Sequence, residues 1–375
     1  MIDKFNTSLS DSQATSVTPI IPEKFDIEEY SDYEQQKLET CEKFWKLNSG
    51  VLVYRRVRVK EVFAGGCADM SKSLAYQLGA LKLSMQYKTD VPNFLEPWYG
   101  IGTVASAFGF EYVWEKDLAP AVRRKLASIS ALLELETSAV QDTKIGKHTL
   151  QMVEYFLDKT KGRLPMSYSD IQSPLNIVAD MLESSQFYID FYLEPEAIKT
   201  AFDKAADLSI AFLKLQANII GKSLAKPGHG FASCRRFDGI GMSDDIITML
   251  PSDLYKEIAI PSFAKSGAAF GDPAFHSCGN WSGKKDDIIA IQGLRMADGA
   301  FSLATDPNAN PTDGFSDTFT NTGVVLNARI VGDIEVVETK VKELWKPGMK
   351  LVVVTYCESP EEQEQVYNRI HEICK

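Results

Sequence analysis

From about residue 70 to its end the sequence alternates short apolar runs with helical patterns, and this alternation constrains the fold more than any other feature. The runs "VPNFLEPW", "LPMSYSDI", "GHGFASC", "GIGMSDD", "PAFHSCG", "GAFSLAT", "GVVLNARIV" and "MKLVVVTYC" read as strands, most of them separated by helical stretches. The clearest helix is "EPEAIKTAFDKAADLSIAFLKLQANII", where Ile198, Ala201, Phe202, Ala205, Leu208, Phe212, Leu215 and Ile219 recur at spacings of three and four. Strand and helix in alternation imply parallel strands covered by helices, and the number of runs predicts an α/β fold, a (β/α)8 TIM barrel. A chain of 375 residues, 45% hydrophobic, supplies the core such a barrel needs. No linker divides it and no fixed-period repeat is present. The barrel is expected over residues 85–375, with its first strand near Pro92, and residues 1–84 as a tail and lead-in elements: a Ser/Thr/Asp/Pro-rich start, a helix across Asp26–Leu47, and the alternating strand "GVLVYRRVRVKEVF". In that strand Arg55, Arg56 and Arg58 read as a solvated face.

Charge narrows the partners. The chain carries 40 basic and 51 acidic residues, a net charge of -11, with no basic block interleaved with aromatics, so nucleic acid is not expected. No apolar run approaches the roughly 18 to 20 residues of a membrane span, and the amino terminus is polar where a signal peptide is apolar. A cytoplasmic protein without membrane association is the expectation. Six scattered cysteines, Cys41, Cys67, Cys234, Cys278, Cys357 and Cys374, lack the spacing of a disulfide framework and are expected as thiols.

Within "FHSCGNW", His276 and Cys278 stand two apart and face the same way if the segment is extended. Alone, the pair reads more readily as packing. Cys357, however, closes the apolar run "MKLVVVTYC", followed by a helix start with Ser359 as N-cap and Pro360 at the first position. In a parallel barrel both strand ends lie on the face where catalytic groups gather. One imidazole and two thiolates suit Zn²⁺ and leave one tetrahedral position open, as in catalytic zinc sites. Other strand-to-helix junctions supply candidates. Asp170 and Gln172 in "YSDIQSP" either contact substrate or serve a turn; of Asp244 and Asp245 in "GIGMSDD", one is expected to cap a helix and the other to face the pocket. Asp170, Asp244 and Asp245 are thus the candidate catalytic carboxylates. Glu96 and Trp98 end a strand and are candidate substrate contacts, Glu96 also a fourth ligand to a resting zinc; Trp281 either covers the site or packs. His148, His229, His371, Cys41, Cys67, Cys234 and Cys374 read as structural or surface residues.

The segments "DIQSPLNIVADML", "EPEAIKTAFDKAAD", "GIGMSDDIITMLPSDLYKEIAIPSFAK" and "FHSCGNW" resemble the uroporphyrinogen decarboxylase superfamily over residues 85–375. The H-x-C pair with a distant cysteine is similar to its zinc-dependent methyltransferase branch, typified by methylcobamide:coenzyme M methyltransferase. That resemblance implies zinc bound by His276, Cys278 and Cys357, a small-molecule thiol held as thiolate, and methyl transfer from a corrinoid. No D-x-H-x-x-G corrinoid motif occurs here, so the corrinoid would be carried on a separate protein. Two alternatives stand beside this reading. One is uroporphyrinogen decarboxylase itself, a carboxy-lyase whose members carry an R-Q-A-G-R segment where this chain has "VLVYRRVRV". The other is a non-catalytic zinc-binding barrel, with zinc closed by four protein ligands.

Overall fold

A computed structural model describes residues 13–63, 68–99, 101–114, 120–122 and 125–375; Cys67 and the first twelve residues of the expected tail lie outside them. Eight strands occur among the described residues: β1 (Gly50–Arg55), β2 (Tyr112–Val113), β3 (Ala121–Val122), β4 (Ile240–Ser243), β5 (Pro273–His276), β6 (Met296–Ala300), β7 (Val325–Ile330) and β8 (Lys350–Thr355). β2 and β3 form a small antiparallel pair, and the rest make one parallel sheet in the order β1-β8-β7-β6-β5-β4.

Single bridges and hydrogen bonds carry this sheet round into the expected α/β barrel. Asp90 N–H donates to Val53 O at 2.8 Å. Leu95 pairs with Met166, Met166 with Leu224, and Gln172 with Ser243, all parallel. The stretches 90–95 and 165–172 thus complete the wall, and 224–227 shares a position with β4, whose Gly241 N–H donates to Pro227 O. "VPNFLEPW", "LPMSYSDI" and "GHGFASC" were expected as strands and contribute isolated pairings instead, the last of them an antiparallel bridge of Cys234 with Lys226. β1 lies upstream of residue 85, in the segment read as a lead-in, and pairs residue for residue with β8.

That placement corrects the reading of its arginines. Alternation of Val and Arg distinguishes two faces of a strand, but a parallel barrel buries both. Arg55 and Arg56 are 1% and 6% exposed. Arg55 donates from Nε to Cys357 O at 2.9 Å and lies 4.7 Å from the Tyr87 ring, while Arg56 reaches Glu96.

The barrel has two apolar layers. Inward residues Leu52, Tyr54, Ala274, Met296, Val325, Val352 and Val354 meet at its centre with Phe231, and the helix Ile27–Lys46 closes the strand starts with Leu38, Cys41 and Phe44. Outward residues Val53, Phe275, Ala297, Leu326, Ala328, Leu351 and Val353 pack under the helices. The long helix runs Pro195–Ile220 and buries Ile198, Ala201, Phe202, Ala205 and Phe212, as its spacing predicts. Ser359 caps the last helix, Pro360–Ile373, accepting from Glu362 N at 3.1 Å. Among the described residues no helix is long and apolar enough to cross a membrane.

Candidate active site

The strands that are apolar at their starts end in polar inward residues, and the site is built from these ends. His276 closes β5 and stands level with Asp298 of β6. Its Nδ1 lies 2.6 Å from Asp298 Oδ2, an acceptor that also takes Arg329 Nε at 2.9 Å, and Asn327 Nδ2 donates to the other oxygen. A carboxylate only accepts, so Nδ1 carries a proton and Nε2 is left facing outward. There it meets Cys278 Sγ at 3.6 Å and Asp245 Oδ1 at 4.0 Å. Asp245 opens a 3-10 turn, Asp245–Met249, that folds it toward the exit of β5, where Oδ1 accepts the Cys278 N–H at 2.6 Å. The ligand atoms of Asp245, His276 and Cys278 all lie within 4.8 Å of one another.

The electrostatics follow from burial and partners. Burial alone would lower the His276 pKa, but the charge and hydrogen bond of Asp298, with Cys278 adding to them, raise it to about 10. Burial likewise works to raise Asp298, and Arg329 and His276 outweigh it, holding that carboxylate below its ordinary value.

A second string of polar groups leads to Asp245 from across the mouth. Trp98 Nε1 donates to Asp170 Oδ2 at 3.0 Å, and Gln172 Nε2 approaches the same oxygen at 3.4 Å. Asn176, in the helix Pro174–Met181, donates to Gln172 Oε1 at 2.9 Å and to Asp245 Oδ2 at 3.2 Å. Glu96 lies 3.4 Å from Arg56 and 3.0 Å from His229 Nδ1; burial opposes its charge, but these partners bring its pKa down to about 2. Glu96 is thus engaged by the Arg56 guanidinium on one side and the His229 ring on the other. His229 packs against the Phe63 and Trp98 rings, which also meet each other, and Gly230, at φ +86, brings the backbone so close that a side-chain carbon there would stand 3.8 Å from His276 Nδ1.

Several expected positions fall elsewhere. Asp244 is buried, accepting from Ser173 Oγ and from Tyr255 OH at 2.6 Å; burial raises its pKa to about 6, and it braces the turn rather than facing the mouth. Trp281 packs in the core, its ring 5.5 Å from Phe275 and 5.0 Å from Phe315, so packing is the alternative realised. Cys357 does not join the cluster of potential ligands. Side chains alternate along β8 and just beyond it, so Tyr356 takes the inward position and Cys357 packs with the layer beneath the helices. Burial there pushes its thiol up to about 12. Cys41, Cys234 and Cys374 are buried and free, and His371 pairs with Asp90 at 2.9 Å, structural roles as expected.

Asp298, Arg329, Asn176 and His229 were missed. For the first two a signal exists: an acid inside "MADGA" and an arginine inside "VVLNARIV" interrupt buried strands, where a charge needs a partner. Nothing near Asn176 or His229 in the sequence marks either one.

One imidazole, one thiol and one carboxylate are donors that zinc accepts, and a carboxylate on the distal nitrogen of the histidine is the usual support of a metal-bound imidazole. The residues present therefore fit a zinc ion with a position left over. An α/β barrel with such a mouth defines the broad class. Residues 57–223 match the family described as "Uroporphyrinogen decarboxylase (URO-D)". No curated protein matches the chain. Among solved structures, a methyltransferase from Methanosarcina mazei shares the fold with a TM-score of 0.58 and 14% sequence identity, covering 82% of this chain and 86% of its own. The family match bears out the resemblance to the uroporphyrinogen decarboxylase superfamily over the residues it covers, and the shared fold bears out the barrel.

Proposed function

We propose that the protein is a methyltransferase that methylates a small-molecule thiol, with a zinc ion held by Asp245, His276 and Cys278 and the methyl group delivered by a corrinoid on a separate protein. The observation that carries this reading is the convergence of those three ligand atoms within 4.8 Å at the open end of the barrel. Zinc bound there supplies one thing, the lowering of an acceptor thiol's pKa from about 8.5 so that it stands as thiolate at neutral pH. Asp298 fixes the tautomer and direction of His276, and Arg329 fixes Asp298. The Cys278 N–H and Asn176 hold the two oxygens of Asp245. Trp98, Asp170 and Gln172 form a fixed polar wall against which a substrate can be oriented. In the overall reaction the thiol loses its proton to solvent, an S–CH3 bond forms, and the bond from methyl to its donor breaks with the electron pair leaving on the donor. The likeness to the methanogen methyltransferase supports this reading at the level of fold.

A carboxy-lyase reading draws on the family match and on Arg56 and Arg329 in the mouth. Against it, Glu96, Asp170, Asp245 and Asp298 line the same mouth and disfavour a substrate with many carboxylates. The experiment is metal analysis followed by incubation of the zinc-loaded protein with methylcobalamin and a panel of thiols. Demethylation dependent on thiol and zinc supports the proposal. A zero rate with every thiol, together with carbon dioxide release from a porphyrinogen that survives zinc removal, would replace it with the lyase.

A further inference from the structure

A second cavity, of about 560 Å³, opens between the segment 106–114 and the start of the helix Lys144–Lys159. It lies outside the barrel mouth. Trp98 and Tyr99 follow the wall stretch 90–95 and point apart: Trp98 turns inward to Asp170, while the buried Tyr99 turns outward, its hydroxyl donating to His148 O at 3.2 Å and its ring 5.8 Å from Trp114. Phe110, Tyr112, Trp114 and His148 line the space on the far side of that wall. Their rings meet at steep angles, Trp114 standing 5.2 Å from Tyr112 at 70° and 6.1 Å from His148 at 82°. The Tyr112 hydroxyl donates to Tyr99 O, and His148 Nε2 donates to Ala68 O at 3.1 Å, so both rings are held in direction. One acid and one base complete the lining, Glu111 and Lys144. Both are exposed, and neither forms an ion pair among the described residues.

Rings set nearly at right angles leave no parallel-sided slot for a flat molecule and form instead a corner around a compact group. Aromatic faces attract cations, and most effectively those that give up little hydration on entering, such as an alkylated ammonium. The start of the helix is closed to an anion. Thr143 Oγ1 already accepts the Gly146 N–H at 3.0 Å, and Val140 O lies against the Gly146 Cα too closely for any side chain, so oxygen of the chain itself occupies that end. A negative group of the ligand is therefore met by Lys144 and not by the helix. We propose that this cavity binds a small zwitterion of the betaine type, its alkylated ammonium in the corner of Tyr112, Trp114 and His148 with Glu111 at the rim, and its acid group against Lys144. No bond is made or broken there, and the site is independent of the zinc ligands and of the methyl-transfer reading.

Calorimetric titration of the full chain with glycine betaine, choline and tert-butylacetate tests this, because the three share a head of one shape and differ in charge. Betaine binds about ten-fold tighter than tert-butylacetate, which has carbon in place of the charged nitrogen, and tighter than choline, which lacks the acid. Trp114→Leu removes the preference for the charged head. Glu111→Gln weakens betaine and choline alike, and Lys144→Gln weakens betaine alone; both side chains are exposed, so these two variants decide if Trp114→Leu misfolds. His276→Ala binds betaine as the wild type does, which separates the cavity from the mouth. Equal affinity for betaine and tert-butylacetate, no heat with any of the three, or loss of betaine binding in His276→Ala overturns the site. Choline binding as tightly as betaine, with Lys144→Gln silent, overturns the zwitterion.

Discussion

The two ends of the barrel are built from the same strands and differ completely in character. At the strand starts the inward residues Leu52, Ala274, Met296, Val325 and Val352 are apolar, with the buried Lys350 beside them, and the helix Ile27–Lys46 seals them from water. Two or four residues later, on the same face, stand Arg56, His276, Asp298, Arg329 and Tyr356. Each strand thus supplies stability at its start and chemistry at its end, and the period of two keeps both on one face. Substitutions at the base should change stability and spare metal binding, and those at the mouth should do the opposite.

Met296→Ala is expected to produce the largest effect, a loss of about 2–5 kcal/mol of stability in denaturant unfolding, because it leaves a cavity in a sealed layer. Its zinc stoichiometry should match that of the wild type; loss of zinc would mean that the two ends are not separable. His276→Ala should weaken zinc about a hundred-fold, near 2.7 kcal/mol, with circular dichroism unchanged. Equal zinc affinity in that variant would end the metal assignment. Asp298→Asn, which keeps the size of the group that orients His276 but removes its charge, should weaken zinc by about 10- to 100-fold in competition with a chelator.

Smaller effects sharpen the contrast. Cys357→Ala should cost about 1–2 kcal/mol of stability and leave zinc affinity alone, since the thiol packs beneath the helices. At the base, Lys350 is buried over the rings of Phe44 and Trp45, its Nζ donating to Trp45 O at 2.9 Å. Burial, with Arg295 adding repulsion, brings its pKa from 10.5 down to about 8. The folded protein then sheds this proton before the unfolded chain does, so this group adds stability as pH rises from about 8 to 10.5. Lys350→Met should lack that rise in thermal melts and gain about 1 kcal/mol at pH 7, the lost bond to Trp45 O offsetting part of the relief. An unchanged alkaline slope in Lys350→Met would contradict it.

The alternation of strands and helices was enough to read the barrel, and His276 and Cys278 were legible because two metal-binding side chains two apart on a strand must share a face. Asp245 was legible as a polar residue at a strand end, but its approach to Cys278 depends on the 3-10 turn that folds it back, which no local spacing encodes. Cys357 shows the limit of reasoning from strand ends: a shift of one residue exchanges inside for outside, and the pattern could not tell that Tyr356 holds the inward position. Arg55 and Arg56 were misread because alternation looks the same whether one face of a strand is wet or both are dry. Trp281 follows the metal pair in sequence, yet its ring turns into the core between Phe275 and Phe315.

X-ray absorption at the zinc edge, on protein loaded with one equivalent of zinc and no added thiol, tests the ligand set most directly. Asp245, His276 and Cys278 predict a first shell with a single sulfur near 2.3 Å and nitrogen or oxygen near 2.0–2.2 Å, the sulfur vanishing in Cys278→Ser. A shell with two sulfurs in the wild type, one of them lost in Cys357→Ala, would contradict the account and bring Cys357 inward as a ligand.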